Sequence, residues 1–372
     1  MRGLLEAAIP LVALVLLVFA ASACERWMKG ADNSHFLTAE NILNVLRQLA
    51  PIGVVALGMT FAIIAGGIDL SVGSLVALAG GAGIWVMNVA LRADTILSSL
   101  NDTQAGSPDA PAAFTVWLAR QCTSLHLAGD EMKAVYLAFG ATMLVALLAG
   151  LLNGLLIAKG KLAPFIATLG GFAAFRSLAL ALADGGEFRS ASSKLYPIIG
   201  TSGIPLPFLH VRPNVSAVLP YPVIVFIALA VLAAILLNKT RYGRHVIAIG
   251  SNERSAVYSA INVARVKVLT YVLVGFACGA AAILVGSRLH SVSSAQTGNL
   301  YELDAIAAVV IGGTRMSGGS GTIFGTVIGV LILGVIGNML NFLDVSPYLQ
   351  GAVKGAIIVV AALIQQIGRR SA

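Results

Sequence analysis

The sequence predicts an all-α fold: a polytopic transmembrane helical bundle of about ten membrane segments, some of them broken or half-length, in a single transmembrane domain over residues 1–372. Three observations predict it. Of the 372 residues, 58% are hydrophobic and only 11% charged, and the mean hydropathy is +0.90. Soluble domains carry about a quarter charged residues, so lipid must solvate much of this surface. Uninterrupted apolar runs of membrane-crossing length recur along the chain, and lysine and arginine cluster in particular loops between them.

A spanning helix needs about 20 mostly apolar residues. The runs at 4–23, 47–65, 70–91, 134–158, 164–183, 221–237, 268–287, 321–340 and 350–367 meet that length, whereas 303–311 is too short to cross alone. A β-barrel would alternate in segments of about 10 residues, which these runs exclude. The first run follows Arg2 and ends in Ala21-Ser22-Ala23-Cys24, resembling a cleavable leader. Because many more apolar runs follow, it is read as a retained first helix. Cys24, Cys122 and Cys278 form no CxxC pair and no metal-ligand spacing.

The basic residues give the orientation. With both termini cytoplasmic, Arg2, Lys159, Lys161, Lys239, Arg241, Arg244, Arg254, Arg265, Lys267, Arg315, Arg369 and Arg370 face inward, with Glu253 the acid among them. The outer side carries thirteen acids, including Asp94, Asp102, Asp109, Asp130 and Glu131 of the loop 92–133. The outer loops 92–133 and 184–220 both read as turn-rich connections, from the Gly, Pro and Ser content of 101–111 and from Pro205, Pro207 and Pro213. The net charge of +8 therefore arises beside membrane segments, which argues against a nucleic-acid face.

The candidate functional residues fall in two places. Residues 66–74 (GGIDLSVGS) interrupt the apolar pattern, and 312–320 (GGTRMSGGS) echo them: the glycine pairs, both serines of each and the glycine between them coincide. Matching breaks mark the pathway in transporters built from two related halves; coincidence in a chain with 40 glycines is the other explanation. Gly66, Gly67, Asp69, Ser71, Gly73, Ser74, Gly312 and Gly313 are thus candidates for a gate or pathway. Asp69 or Ser71 can equally serve as the N-cap of the following helix. Arg176, inside the run 164–183, needs an acid in another helix or a route to the interface.

The second place is the inner loop 238–267. Gly250 ends one element, and Ser251 or Asn252 can cap a short helix with Glu253 in its first turn. Ala256, Val257 and Ala260 give that helix a small apolar face, suited to docking on a partner or to lying on the bilayer. No catalytic set accompanies these features: the chain has no GxxxxGK[ST], no HExxH and no clustered histidines. No cofactor, metal or enzymatic activity is expected of it.

Residues 66–74, 164–170 (PFIATLG), 242–252 (YGRHVIAIGSN) and 303–313 (LDAIAAVVIGG) occur in one order and together resemble the ribose/galactose/xylose-type ABC importer permeases, the branched family of binding-protein-dependent inner-membrane components. The resemblance covers most of the chain from about residue 40 onward. It implies a permease in the bacterial inner membrane that pairs with a second permease copy and with cytoplasmic ABC ATPase subunits that bind the ATP. It also implies a periplasmic sugar-binding protein outside, and it makes 250–262 the helix that couples to the ATPase, with Gly250, Ser251, Asn252, Glu253, Arg254 and Ala256 as contact residues. The sequence departs from the family at Ser259-Ala260-Ile261, where glycine is usual in the middle position, and in the length of 92–133. The alternative is a proton- or sodium-coupled secondary transporter that titrates Asp69 or Asp304.

Overall fold

The computed structural model describes residues 2–29, 35–102, 112–190, 193–212, 215–346, 349–353, 355–356 and 359. In chain order the elements are α1 (Arg2–Lys29), α2 (Ala39–Ile64), α3 (Val72–Leu91), α4 (Ala93–Asp102), α5 (Ala113–Ser124), α6 (Glu131–Ala158), α7 (Pro164–Leu182), β1 (Glu187–Arg189), α8 (Ile198–Thr201), β2 (Gly203–Arg212) and β3 (Val215–Pro220). There follow α9 (Tyr221–Lys239), α10 (Arg241–Ser251), α11 (Glu253–Tyr258), α12 (Val263–Leu289), β4 (Ser291–Ser293), α13 (Tyr301–Ile311) and α14 (Ile323–Phe342). Among the described residues, eight helices are long and apolar enough to cross a membrane: α1, α2, α3, α6, α7, α9, α12 and α14. Each coincides with an expected run. The expected run 350–367 lies largely outside the described residues.

α12 is the central helix, packed on α6, α2 and α3. Apolar side chains gain little from leaving lipid for a helix interface, so close packing of small residues must hold spans together. Gly150 and Gly154 of α6 and Gly275 and Gly279 of α12 supply it: a β-carbon at Gly150 would overlap the Tyr271 carbonyl, and one at Gly275 the Ala146 carbonyl. The outer helices keep bulky residues on the surface, such as Leu144, Leu148 and Leu152 of α6 and Ile227, Val231 and Ile235 of α9. Side chains of that size in such number belong against acyl chains rather than water.

The connections sort into two ends. At one, Gly319 N–H donates to the Ile64 carbonyl at 2.9 Å and Thr168 Oγ1 to the Ile68 carbonyl at 3.3 Å, so the segments after α2, before α7 and before α14 meet. At the other, Gly129 N–H donates to Ala90 O at 3.1 Å and Ser190 N–H to His290 O at 2.9 Å, while β1 pairs antiparallel with β4. The loops that the basic residues assign to one face thus share one end of the bundle.

The outer connections are more ordered than expected. Residues 93–102 and 113–124 are helices, with Ala119 and Cys122 packed beside Met87, Ala134, Phe188, Tyr196 and Val292 in a separate apolar cluster. The spacing of Phe114, Trp117, Leu118, Gln121 and Cys122 is helical; the Gly/Pro/Ser content of 101–111 overshadowed it, and 103–111 lies outside the described residues. Glu131 pins the next stretch, accepting from Ser193 Oγ at 2.9 Å, Leu195 N–H at 2.7 Å and Lys194 N–H. In 184–220, β2 and β3 form a hairpin that contains Pro205 and Pro207. Both of its strands are edges, where a missing N–H costs no ladder bond.

α13 has 11 residues, about 16 Å of helix and half a bilayer core of about 30 Å. Arg176 holds the turns leading into it, its Nη1 donating to the Ser294 carbonyl at 2.8 Å and the Thr297 carbonyl at 3.1 Å. Those carbonyls take the place of the interfacial route, and Glu302 of α13 is the acid from another helix that acts on this cation.

Candidate translocation and coupling site

The echo between the two glycine pairs is structural, but not in the expected register. α2 ends with Gly66 N–H bonded to Ile63 O and Gly67 N–H to Ala62 O, both at 2.9 Å, and Gly66 at φ +83°. α13 ends identically one residue later in the echo: Gly313 N–H bonds to Val310 O, Thr314 N–H to Val309 O, and Gly313 has φ +89°. Both are Schellman ends, where glycine is favoured at C′ because the residue there is left-handed. Gly66 therefore corresponds to Gly313, whereas the sequence pairs it with Gly312. The linkers also differ, 67–70 before the Ser71 cap of α3 against 314–321 before the Thr322 cap of α14. Both breaks lie at the same bundle end and the helices leading into them run toward it, so the two segments are not an inverted pair.

The stretch after Gly67 is buried and internally bonded. Asp69 Oδ1 accepts from Ser71 N–H at 2.8 Å and Ser71 Oγ at 2.6 Å; Asn153 Nδ2 donates to Ser71 Oγ at 2.9 Å, and Ser74 Oγ to Ser71 O at 2.9 Å. Ser71 occupies the N-cap position, but its side chain makes no cap bond. The expected capping role is thus divided: Ser71 gives the position, and the Asp69 carboxylate closes the turn. Gly73, one turn further, meets Gly298, where a β-carbon would overlap the Gly298 carbonyl.

The inner loop folds as expected into one element, α10, that ends at Gly250-Ser251, and the short α11. Asn252 is its cap, with Oδ1 accepting Ser255 N–H at 3.0 Å. α10 is tied to α12 through Tyr242, whose hydroxyl lies 2.9 Å from Thr270 Oγ1; burial pushes that hydroxyl up to about 12, so it remains protonated. Glu253 Oε1 accepts from Lys267 Nζ at 2.8 Å, joining α11 to the start of α12. Ala256 is buried against the bundle, so it anchors α11; a partner would meet Val257 and Tyr258, the latter 90% exposed. Ala260 follows in the left-handed region at φ +58°, which explains why glycine suits that position.

These pieces converge. Gly66, Gly67, Gly250, Ser251, Asn252 and Glu253 line one cavity of about 310 Å³, together with Pro164, Lys267 and Tyr271. Gly250 packs so closely on α2 that a β-carbon would overlap the Ile64 carbonyl. The same carbonyl, unpaired within its helix, takes the Gly319 N–H. Gly312 and Gly313 stay outside this cavity: Gly312 packs against Gly325, and Gly313 faces open space. Arg254 is exposed and does not line it. Lys267 entered the sequence reading only as an inward-facing charge and Tyr271 not at all, because each sits alone within or beside an apolar run. Tyr271 Oη is buried without a hydrogen-bond partner.

The glycine-broken end of α2 thus stacks on the end of α10, directly before the short capped α11. Residues 41–362 match the family model described as branched-chain amino acid transport system / permease component. The chain belongs to this permease family. It is 40% identical over 334 residues to the ribose import permease protein RbsC of Bacillus subtilis (strain 168), covering 90% of this chain and 87% of that protein. It is 35% identical over 337 residues to the RbsC of Haemophilus influenzae, covering 89% and 86%. The xylose transport system permease protein XylH of Haemophilus influenzae is 30% identical over 404 residues, covering 95% and 96%. No solved structure matches the chain.

Proposed function

We propose that this chain is the membrane-spanning subunit of a bacterial ATP-driven importer for a monosaccharide or related polyol, working by alternating access. The carrying observation is the junction of the α10–α11 loop with the broken helix: Gly250, at the end of α10, lies against the last carbonyl of α2, and the following α11, capped by Asn252 and held by Ala256 and Lys267, presents Val257 and Tyr258 outward. The names of its relatives, ribose and xylose permeases, support the substrate class. In this reading α11 docks on a separate ABC ATPase that binds ATP in the cytoplasm. Closure of the ATPase dimer displaces α11, and α11 moves the Gly66-Gly67 break. Coupling of this kind requires the two nucleotide states to favour different permease conformations. A periplasmic sugar-binding protein delivers the sugar at the opposite end, both termini face the cytoplasm, and a second permease copy completes the pathway. The chain itself performs no hydrolysis.

Affinity purification from native membranes in mild detergent tests the reading. A stoichiometric P-loop ATPase should co-purify, and reconstituted vesicles should take up sugar only with ATP. Sugar uptake by the chain alone, driven by an ion gradient, would instead favour the secondary transporter.

A further inference from the structure

A second cavity, of about 280 Å³, lies at the other end of α2. Val45, Gln48, Leu49 and Ile52 of that helix line it, whereas Ala62, Ala65 and Gly66 line the first. Between them every residue from Gly53 to Phe61 is buried, a septum of about 14 Å at 1.5 Å per residue. The remaining walls come from the end of α12, the start of α13 and the second half of α14.

Its lining is rich in polar groups for a cavity walled by membrane-spanning helices, most of them at or near the helix ends. Gln48, Arg288, Tyr301, Asp304, Asn338 and Asn341 all face it, although polar and ionisable groups in spans are scarce and mark substrate paths. Arg288 Nε is buried with no hydrogen-bond partner, a donor that a ligand oxygen would satisfy. Asn338 is fixed by a reciprocal amide pair with Asn41, at 2.9 and 3.0 Å, which holds α14 to α2 beside the opening.

We propose that this cavity is a low-affinity site for one neutral monosaccharide, occupied between release from outside and passage through the septum. This rests on the importer reading. Guanidinium, carboxylate and carboxamide groups present paired donors or acceptors that match neighbouring sugar hydroxyls. Tyr301 adds an aromatic ring to the lining, a group that suits the apolar side of a sugar ring. A carboxylate and a guanidinium in one cavity offset each other, which suits a neutral polyol over a sugar acid. The volume of about 280 Å³ lies just below the range of small-molecule pockets, about 300–1,000 Å³, and is of the size for one ring.

Gly337 makes the site testable, because it lines the cavity and a β-carbon there meets nothing within 4 Å. The experiment uses Gly337→Cys in a Cys24→Ser background, since Cys122 and Cys278 are buried. The chain is reconstituted with its co-purifying partners, and labelling by a charged, membrane-impermeant methanethiosulfonate is followed. D-ribose, D-xylose or whichever monosaccharide the wild-type vesicles take up should slow labelling several-fold, and the corresponding aldonate should not. Labelling unaffected by any transported sugar, absence of labelling, or equal protection by the aldonate would each overturn the assignment. Uptake by wild-type vesicles reports separately on the importer reading.

Discussion

Gly250 and Gly337 both line cavities, yet they sit in opposite surroundings. At Gly250 a β-carbon would overlap the Ile64 carbonyl and lie 2.6 Å from Gly319 N, so three segments touch through backbone alone. At Gly337 the same atom would enter open space. The end that carries α11 is therefore built like a rigid joint, in which displacement of the loop must displace the end of α2. The end that carries the polar cavity is built with slack. Glycine serves contact in one place and leaves room in the other, and the difference suits one end to transmit force and the other to admit a solute.

The largest expected effect breaks the joint. Gly250→Ala forces α10 away from Ile64 and should cost about 1–3 kcal/mol or more, as overpacking does. It should lower the melting temperature in detergent and abolish sugar uptake. Retained uptake with an unchanged melting temperature would mean that the joint is not rigid.

Asp69 lies just beyond the same joint and separates the two transport readings. Asp69→Ala removes the acceptor for Ser71 N–H and Ser71 Oγ and should cost about 1–3 kcal/mol, because buried donors are left unpaired. Asp69→Asn keeps an oxygen acceptor, so it should retain most ATP-driven uptake. If Asp69→Asn folds normally and loses all uptake, the carboxylate's charge or proton is needed, and the secondary transporter regains ground.

Ala260 offers a smaller test at the loop. Its left-handed backbone costs an alanine about 1–2 kcal/mol that a glycine avoids, less the extra freedom glycine gains when unfolded. Ala260→Gly should therefore stabilise α11 by up to about 1 kcal/mol, read as slower hydrogen exchange over 253–261. Faster exchange there would show that the alanine methyl makes a contact that outweighs the strain.

The two ends also differ in how far the sequence revealed them. The eight long helices and the half-length α13 were legible because lipid demands long apolar runs, although α2 begins at Ala39, eight residues before the expected 47, because its first turns carry Glu40, Asn41 and Asn44. The loop helix was legible from a local rule, since Asn252 and Glu253 follow Gly250 in the order a helix start requires. The outer cavity was not. Gln48, Arg288, Tyr301, Asp304, Asn338 and Asn341 are scattered over four elements, and each alone looks like an interfacial residue. The echo shows the same limit: serine and glycine matches aligned Gly66 with Gly312, whereas backbone hydrogen bonding aligns it with Gly313. Sequence periodicity reports what a segment does with its own neighbours, and only packing reports what it does with distant ones.

The smallest expected effect sharpens the opening contrast from its loose side. Gly337→Ala adds a methyl that clashes with nothing and removes a helix-interior glycine, which should stabilise α14 by about 0.5–1 kcal/mol. Sugar uptake should stay near wild type, because one methyl occupies little of the 280 Å³. Gly337→Leu should keep that fold stability while raising the sugar concentration needed for half-maximal uptake, since its side chain reaches into the cavity. A matched pair in which both variants fold and only the larger one impairs uptake would locate the slack on the transport path. Equal uptake by both would leave the cavity a packing defect beside the path.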